Sequence, residues 1–262
     1  MYIDYDGFIF DLDGTIYLDD AIIPKSEKTI NYLKEKGKRV VFISNKTTGT
    51  VDQYYQFLIK NGFKIKPDDI INATSVIKHY LAKYHKGDAF FAIGEKVFID
   101  QIVEAGLEYS TNPEKIKIII VTLDRTLNYE KLEIAAKALE KGAVFYAANI
   151  DDTCPVEDGE ILDAGSTISA LEKRTHKKLV KHFGKPSSNM LEFIKKKIQT
   201  PLDKCLIIGD RLETDIAMGN IFGIDTALVK TGVKKVTNGN INIRPTFKIN
   251  SVFDLVQREL KS

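Results

Sequence analysis

Short apolar runs alternate along the chain with longer stretches of helical periodicity. The runs Gly7–Phe10, Val40–Ser44, Ala89–Gly94, Ile116–Leu123, Val144–Ile150, Leu179–Phe183, Cys205–Gly209, Thr226–Lys230 and Thr246–Ile249 favour β-branched and aromatic residues. Most lack polar alternation, as in Val40-Val41-Phe42-Ile43 and Ile118-Ile119-Ile120-Val121. Strands buried on both faces read this way, and they belong to parallel sheets covered by helices. Between the runs, apolar residues recur at helical spacing. Pro24 precedes a helix with Ile30 and Leu33 on one face, stopped at Gly37. Thr50 with Gln53 has the capping-box pattern ahead of Val51, Tyr54, Tyr55 and Leu58, and that helix ends near Gly62. Further helices are predicted over Glu95–Ala105, Tyr129–Lys141, Ser188–Ile198 and Glu213–Phe222. The repeated strand-then-helix order predicts an α/β fold with right-handed crossovers. Thr237-Asn238-Gly239-Asn240 reads as a surface turn.

Composition narrows the class. The chain has 262 residues, 44% hydrophobic and 28% charged, which is enough apolar material for a core without disulfide or metal staples. Thirty-eight Lys and Arg against 36 Asp and Glu leave a net charge of +2, which gives no support to nucleic-acid binding. Two cysteines make no disulfide framework. Met1 to Phe10 lacks the basic region of a secretory signal. No apolar run approaches the roughly 20 residues of a membrane span. A cytoplasmic protein without a membrane partner is expected.

In open parallel sheets ligands bind at the carboxyl ends of the strands. Asp11-Leu12-Asp13-Gly14-Thr15 follows the first run, and Ser44-Asn45-Lys46 ends the second. Gly184-Lys185-Pro186 follows the sixth, and Gly209-Asp210-Arg211-Leu212-Glu213-Thr214-Asp215 ends the seventh. Any one of these acids reads equally as a helix cap or a solvated turn. Together they supply metal ligands, a nucleophile and phosphate donors. Asp11, Asp13 and Asp210 suit Mg²⁺, a hard ion with oxygen ligands. A carboxylate can also attack phosphorus and form an aspartyl-phosphate. Lys185, Ser44 and the backbone N–H groups of the Asp13-Gly14-Thr15 turn would offset the phosphate charge. A second carboxylate two residues on suits proton transfer to the leaving oxygen.

These segments, in this order and each at a strand end, resemble the four motifs of the haloacid dehalogenase (HAD) superfamily. The resemblance implies a Rossmann-like core, with Asp11 as nucleophile and Asp13 as general acid and base. It implies phosphate binding by Gly14, Thr15, Ser44, Asn45 and Lys185, with Lys185 also catalytic as the clamp on the nucleophile. It also implies a Mg²⁺ site built from Asp11, Asp13, Asp210 and Asp215. An acid at position 13 favours phosphatases and mutases over the dehalogenases and transport ATPases of the superfamily.

Spacing then places an insertion. Ser44 follows Asp13 by 31 positions, whereas Lys185 follows Ser44 by 141. An α/β cap of the C2a type over 78–178, inside a core of 1–77 and 179–262, accounts for the extra length. The chain is similar to the NagD-like branch, through Gly184-Lys185-Pro186-Ser187, the stretch Ile208 to Gly219, and Ala147-Ala148-Asn149-Ile150-Asp151 with Pro155 and Gly159. That branch implies a phosphatase for small phosphorylated metabolites, with sugar phosphates as the first expectation. It also implies a homodimer through the cap. Phosphotransfer to an acceptor alcohol and non-catalytic binding of a phosphorylated ligand are the alternatives.

Asn149 and Asp151 read either as substrate-facing groups at a cap strand end or as an Asx turn. Lys46 stands where the branch often has Asn or Arg, and reads either as added positive charge beside the phosphate or, in preference, as a solvated lysine. Asp124-Arg125 reads as helix capping, and Tyr17 as either entrance or packing. Cys154 and Cys205 read as an ordinary loop thiol and a buried strand residue. His79, His85, His176 and His182 lack ligand spacing, so no zinc site is expected. Lys195-Lys196-Lys197 reads as a solvated helix face.

Overall fold

The structure is a computed structural model that describes residues 4–156, 159–232 and 242–260. The turn expected over 237–240 lies outside the described residues. The chain opens with β1 (Gly7–Asp11), buried along its whole length, and a short hairpin of β2 (Tyr17–Leu18) and β3 (Ala21–Ile22). Then come α1 (Ser26–Glu35), β4 (Arg39–Ser44), α2 (Val51–Lys60), β5 (Ile70–Asn72) and α3 (Ala73–Tyr84). The capping box at Thr50 forms as the sequence predicts: Gln53 N–H donates to Thr50 Oγ1, and Thr50 N–H donates back to Gln53 Oε1.

A second run of units follows: β6 (Ala89–Ile93), α4 (Lys96–Glu104), β7 (Glu108–Tyr109), β8 (Ile118–Val121), α5 (Tyr129–Glu140) and β9 (Val144–Ala147). An antiparallel hairpin of β10 (Thr153–Val156) and β11 (Gly159–Leu162) leads into α6 (Ala164–Thr175) and β12 (Lys181–His182). The chain finishes with α7 (Ser188–Ile198), β13 (Cys205–Gly209), α8 (Ala217–Phe222), β14 (Asp225–Leu228) and β15 (Phe247–Lys248).

Two parallel sheets result, in the orders β15-β14-β13-β1-β4-β5 and β12-β9-β8-β6-β7. In the first, β1 lies between β4 and β13; the chain runs from β1 through β4 to one edge and later from β13 through β14 to the other, so the direction of winding reverses beside β1. That is a topological switch point, where the loops at the carboxyl ends diverge and open a crevice.

The sheets differ from expectation at the boundary. β12 pairs with β9, Lys181 beside Tyr146 and His182 beside Ala147, so the strand expected to open the second half of the core closes the inserted sheet instead. Motif spacing locates Lys185 but cannot tell which sheet edge the preceding strand extends. The other boundary, at 77/78, falls inside α3.

The segment from Glu213 also departs from plain helix. Its first turn, Leu212–Ile216, is a π-turn. Such turns re-aim side chains, often at functional sites, and here Asp215 Oδ2 accepts from Arg211 N–H at 3.1 Å.

Three apolar clusters form the core. One lies with α1 and α2 on a face of the first sheet and includes Phe8, Phe10 and Phe42. Another lies with α5 and α6 on a face of the second and includes Phe91, Ile119 and Phe145. The third joins both sheets: Ile9, Val41 and Ile207 from the first and Phe90, Ile118 and Ile120 from the second share it with α3 and α7. Ile194 of α7 is fully buried in this joint. Ile194→Ala is expected to cost about 2–5 kcal/mol. Because the joint is shared, urea should unfold both sheets in one transition by circular dichroism; two separate transitions would contradict it.

Candidate active site

The site forms where three chain crossings meet beyond the carboxyl end of β1. Asp11 is its last residue, and the chain then folds into a tight turn in which Gly14 N–H donates to Tyr17 O at 2.7 Å and Thr15 N–H to Leu12 O at 3.2 Å. Gly14 has φ +83°, and a Cβ there would stand 2.5 Å from Asp210 Oδ2. Glycine is therefore required both by conformation and by contact. Gly209, ending β13, is as confined: a Cβ would lie 2.1 Å from Asp215 Cγ.

Asp11, Asp210 and Asp215 are all buried and offer oxygens within 4.8 Å of one another. Lys185, 3% exposed, donates to Asp11 Oδ1 and, at 2.7 Å, to Asp215 Oδ1. Burial by itself would lower the lysine's pKa, but the two carboxylates outweigh it and hold the ammonium above its usual value. Burial, helped by Asp215 and Asp210, pushes the Asp11 carboxyl well up against the opposing pull of Lys185. Three buried acids thus gather round one buried ammonium, with Arg211 near two of them, and Asp11 Oδ2 is buried without a hydrogen-bond partner. Oxygen donors short of positive charge fit a hard divalent cation.

The Asp13 carboxylate, expected as a fourth ligand, is not in this group. Lys46 Nζ reaches its Oδ1 at 2.8 Å, and the Tyr17 hydroxyl donates to Oδ2 at 3.2 Å. Past the end of β1 the turn carries this side chain to a counter-ion of its own. Lys46 is accordingly no solvated lysine. Its side chain is 26% exposed, and Asp13 raises its pKa against the opposing effect of burial.

Two further expectations are corrected. The N–H groups of Gly14 and Thr15, expected as phosphate donors, are used inside the turn. The Thr15 hydroxyl is fully buried without a partner and does not line the cleft.

Ser44 and Asn45 stand at the carboxyl end of β4. Ser44 is 1% exposed, and its Oγ accepts from Lys46 N–H. Asn45 ties three segments together. Its Oδ1 accepts from Lys185 N–H at 2.7 Å, and its Nδ2 donates to Asp151 Oδ2, also at 2.7 Å. Opposite stand residues of the inserted segment. Asp151 faces the cleft, with Arg211 Nη1 3.8 Å from its Oδ1. Asn149 is buried behind it, donating from one Nδ2 to Asp151 and to Asp163 at 3.2 and 3.0 Å and accepting from the Thr122 hydroxyl. Asn149 therefore positions acids and does not line the cleft.

Asp163, Arg211 and Thr214 also line the cleft, which opens to solvent. Asp163 escapes a sequence reading because it also caps α6, accepting from Ala164 N–H; the cap explains the residue completely. Cys154 lines the cleft too, but burial pushes its thiol up to about 12, which keeps it protonated and a poor nucleophile.

Asp124, expected to cap a helix, does not: Asn128 caps α5 by accepting from Lys131 N–H, while Asp124 accepts from Thr126 N–H and pairs with the Lys131 side chain. Cys205 is buried in β13. Among the described residues the acidic triad forms the metal-capable cluster and no histidine joins it. No described helix is long and apolar enough to cross a membrane.

An α/β fold with acids, lysine and serine at adjoining strand ends is the layout of a phosphotransfer enzyme. Residues 8–108 match the family described as haloacid dehalogenase-like hydrolase, and 182–255 match a second described as HAD-hydrolase-like. The chain is 31% identical over 251 residues to the sugar-phosphatase AraL of Bacillus subtilis, covering 96% of this chain and 92% of that protein. Its structure is similar to a p-nitrophenyl phosphatase from Archaeoglobus fulgidus, with TM-score 0.87 and 29% identity over 97% and 99% of the two chains. It is also similar to a glycerol phosphate phosphatase from Mycobacterium tuberculosis in complex with magnesium, with TM-score 0.82 and 25% identity over 96% and 76%. The chain belongs to the HAD-like hydrolases and is a phosphatase of the NagD-like branch.

Removing one partner of a buried ion pair leaves an uncompensated charge. Lys185→Met is therefore expected to lower unfolding free energy by about 3–5 kcal/mol in urea titrations at neutral pH.

Proposed function

We propose that the protein is a Mg²⁺-dependent phosphomonoesterase for sugar phosphates, working through an aspartyl-phosphate on Asp11. The observation that carries this reading is the buried, unpartnered Asp11 Oδ2 at the end of β1, beside one ammonium and two further carboxylates. Asp11, Asp210 and Asp215 would hold the metal, which when bound supplies positive charge against the carboxylates and the incoming phosphate. The inserted segment, from Lys78 through β12, is the cap that covers the substrate.

In this mechanism Asp11 Oδ2 attacks phosphorus as the ester P–O bond breaks. Asp13, which lines the same cleft, delivers a proton to the leaving oxygen. Lys46 and Tyr17 hold Asp13 in place for that transfer. Water then attacks the phosphoenzyme, Asp13 takes its proton, and phosphate leaves with Asp11 restored. Lys185 keeps the nucleophile oriented by holding its other oxygen, Oδ1. Ser44 Oγ, at the adjacent strand end, donates to a phosphate oxygen. Charge spreads over three phosphate oxygens in the transition state, so positioned cations supply most of the acceleration. The sugar assignment is supported by polar groups of the cap facing the cleft and by the name of the Bacillus relative.

Asp11→Asn removes the nucleophile and is expected to cut p-nitrophenyl phosphate turnover by about a thousandfold or more, followed as nitrophenolate release. EDTA should abolish turnover in the wild type, and added Mg²⁺ should restore it. Turnover undiminished by EDTA would overturn the metal role.

A further inference from the structure

Resting on the phosphatase reading of this cleft, we propose that Asp151 and Asp163 form an acceptor wall that selects uncharged, hydroxyl-bearing leaving groups and rejects those with a second anionic group. The two carboxylates are locked side by side, because one Asn149 Nδ2 donates to both. Asn149 is itself fixed by Thr122. The wall therefore cannot spread its charges without breaking buried hydrogen bonds.

Both acids line the cleft that holds Asp11. Asp163 uses Oδ1 for Asn149 and for Ala164 N–H, leaving Oδ2 as the acceptor offered to a ligand. The independent observation is Thr214. This residue lines the same cleft, is 3% exposed, and its buried hydroxyl has no hydrogen-bond partner. A buried polar atom left unpaired is costly. A ligand hydroxyl would satisfy it, while the carboxylates accept hydroxyl protons on the facing side.

A carboxylate or second phosphate on the leaving group would meet the wall as like charge. Arg211 offsets this only in part, because its guanidinium is shared among Asp151, Asp210 and Asp215, and Lys46, which also lines the cleft, is paired with Asp13.

The charge on the wall changes with pH. Burial first, and then Asp151, push the Asp163 carboxyl up to about 7, against the opposing pull of Asn149, the Ala164 N–H and Arg211. Cys154 on β10 also faces it, as a neutral thiol. Below this value Asp163 is neutral and can donate; above it the wall carries a second negative charge. Rejection of anionic leaving groups should therefore strengthen as pH rises through about 7.

The test is the ratio of kcat/KM for glycerol 1-phosphate over 3-phosphoglycerate, measured with the Mg²⁺-loaded enzyme from pH 6 to pH 8. The two phosphate groups titrate alike, near pH 6, so their own ionisation cancels in the ratio. The wild-type ratio should exceed one and rise about fivefold across the range. Asp163→Asn retains a side-chain oxygen to cap α6 and should flatten the rise. A flat wild-type ratio, or an equal rise in the variant, would overturn the wall. Should the variant fail to fold, the wild-type profile decides alone: a rise supports the proposal and a flat ratio overturns it. Hydrolysis of p-nitrophenyl phosphate separates the readings. Its absence in the wild type removes the phosphatase mechanism, whereas its presence beside a flat ratio removes only the wall.

Discussion

One lysine ammonium, buried between carboxylates, holds the centre of this molecule together. Lys185 reaches the site on the segment that leaves the second sheet, while Asp11 and Asp215 come from the first sheet and its π-turn. Like charges cannot be gathered in a low-dielectric interior without an opposite charge among them. The lysine bridges Asp11 and Asp215, and Arg211 lies close enough to feel Asp210 and Asp215 as well, so the acids are gathered only with cations set among them. The π-turn, the constrained glycines and the path of the chain past β12 all bring these charges within reach of one another.

Asn45 links that centre to the covering segment. By bonding both Lys185 and Asp151, it connects the buried lysine to the inserted segment through a single side chain. The joint apolar cluster works on a larger scale in the same direction. With α3 and α7 contributing to both sheets, core and cap share one body of packed side chains.

Much of this was legible from the sequence because strand ends are local features. Apolar runs locate β1, β4 and β13, and the residues just after them are Asp11, Ser44 and Asp210. The Thr50 and Gln53 box is local too. What the sequence hides is partnership over distance. Nothing near Lys46 announces that its counter-ion is Asp13, and nothing in Leu179–Phe183 says which sheet the strand will join. Asn149 reads as a contact residue until its three hydrogen bonds show it holding others. Asp163 is hidden differently, because one local role masks a second. The amides of Gly14 and Thr15 were over-read, since a turn consumes the donors that its composition advertises.

The confinement of Gly14 and Gly209 has a consequence for how such a protein varies. Each is one base change from alanine, and each alanine would drive a methyl group into an acid of the triad. Lineages carrying either change would lose the site before any compensating shift arose. The β10–β11 hairpin has exposed positions such as Glu160 and Leu162. Drift is therefore channelled: the catalytic floor is frozen by backbone geometry, while the covering hairpin is open to experiment.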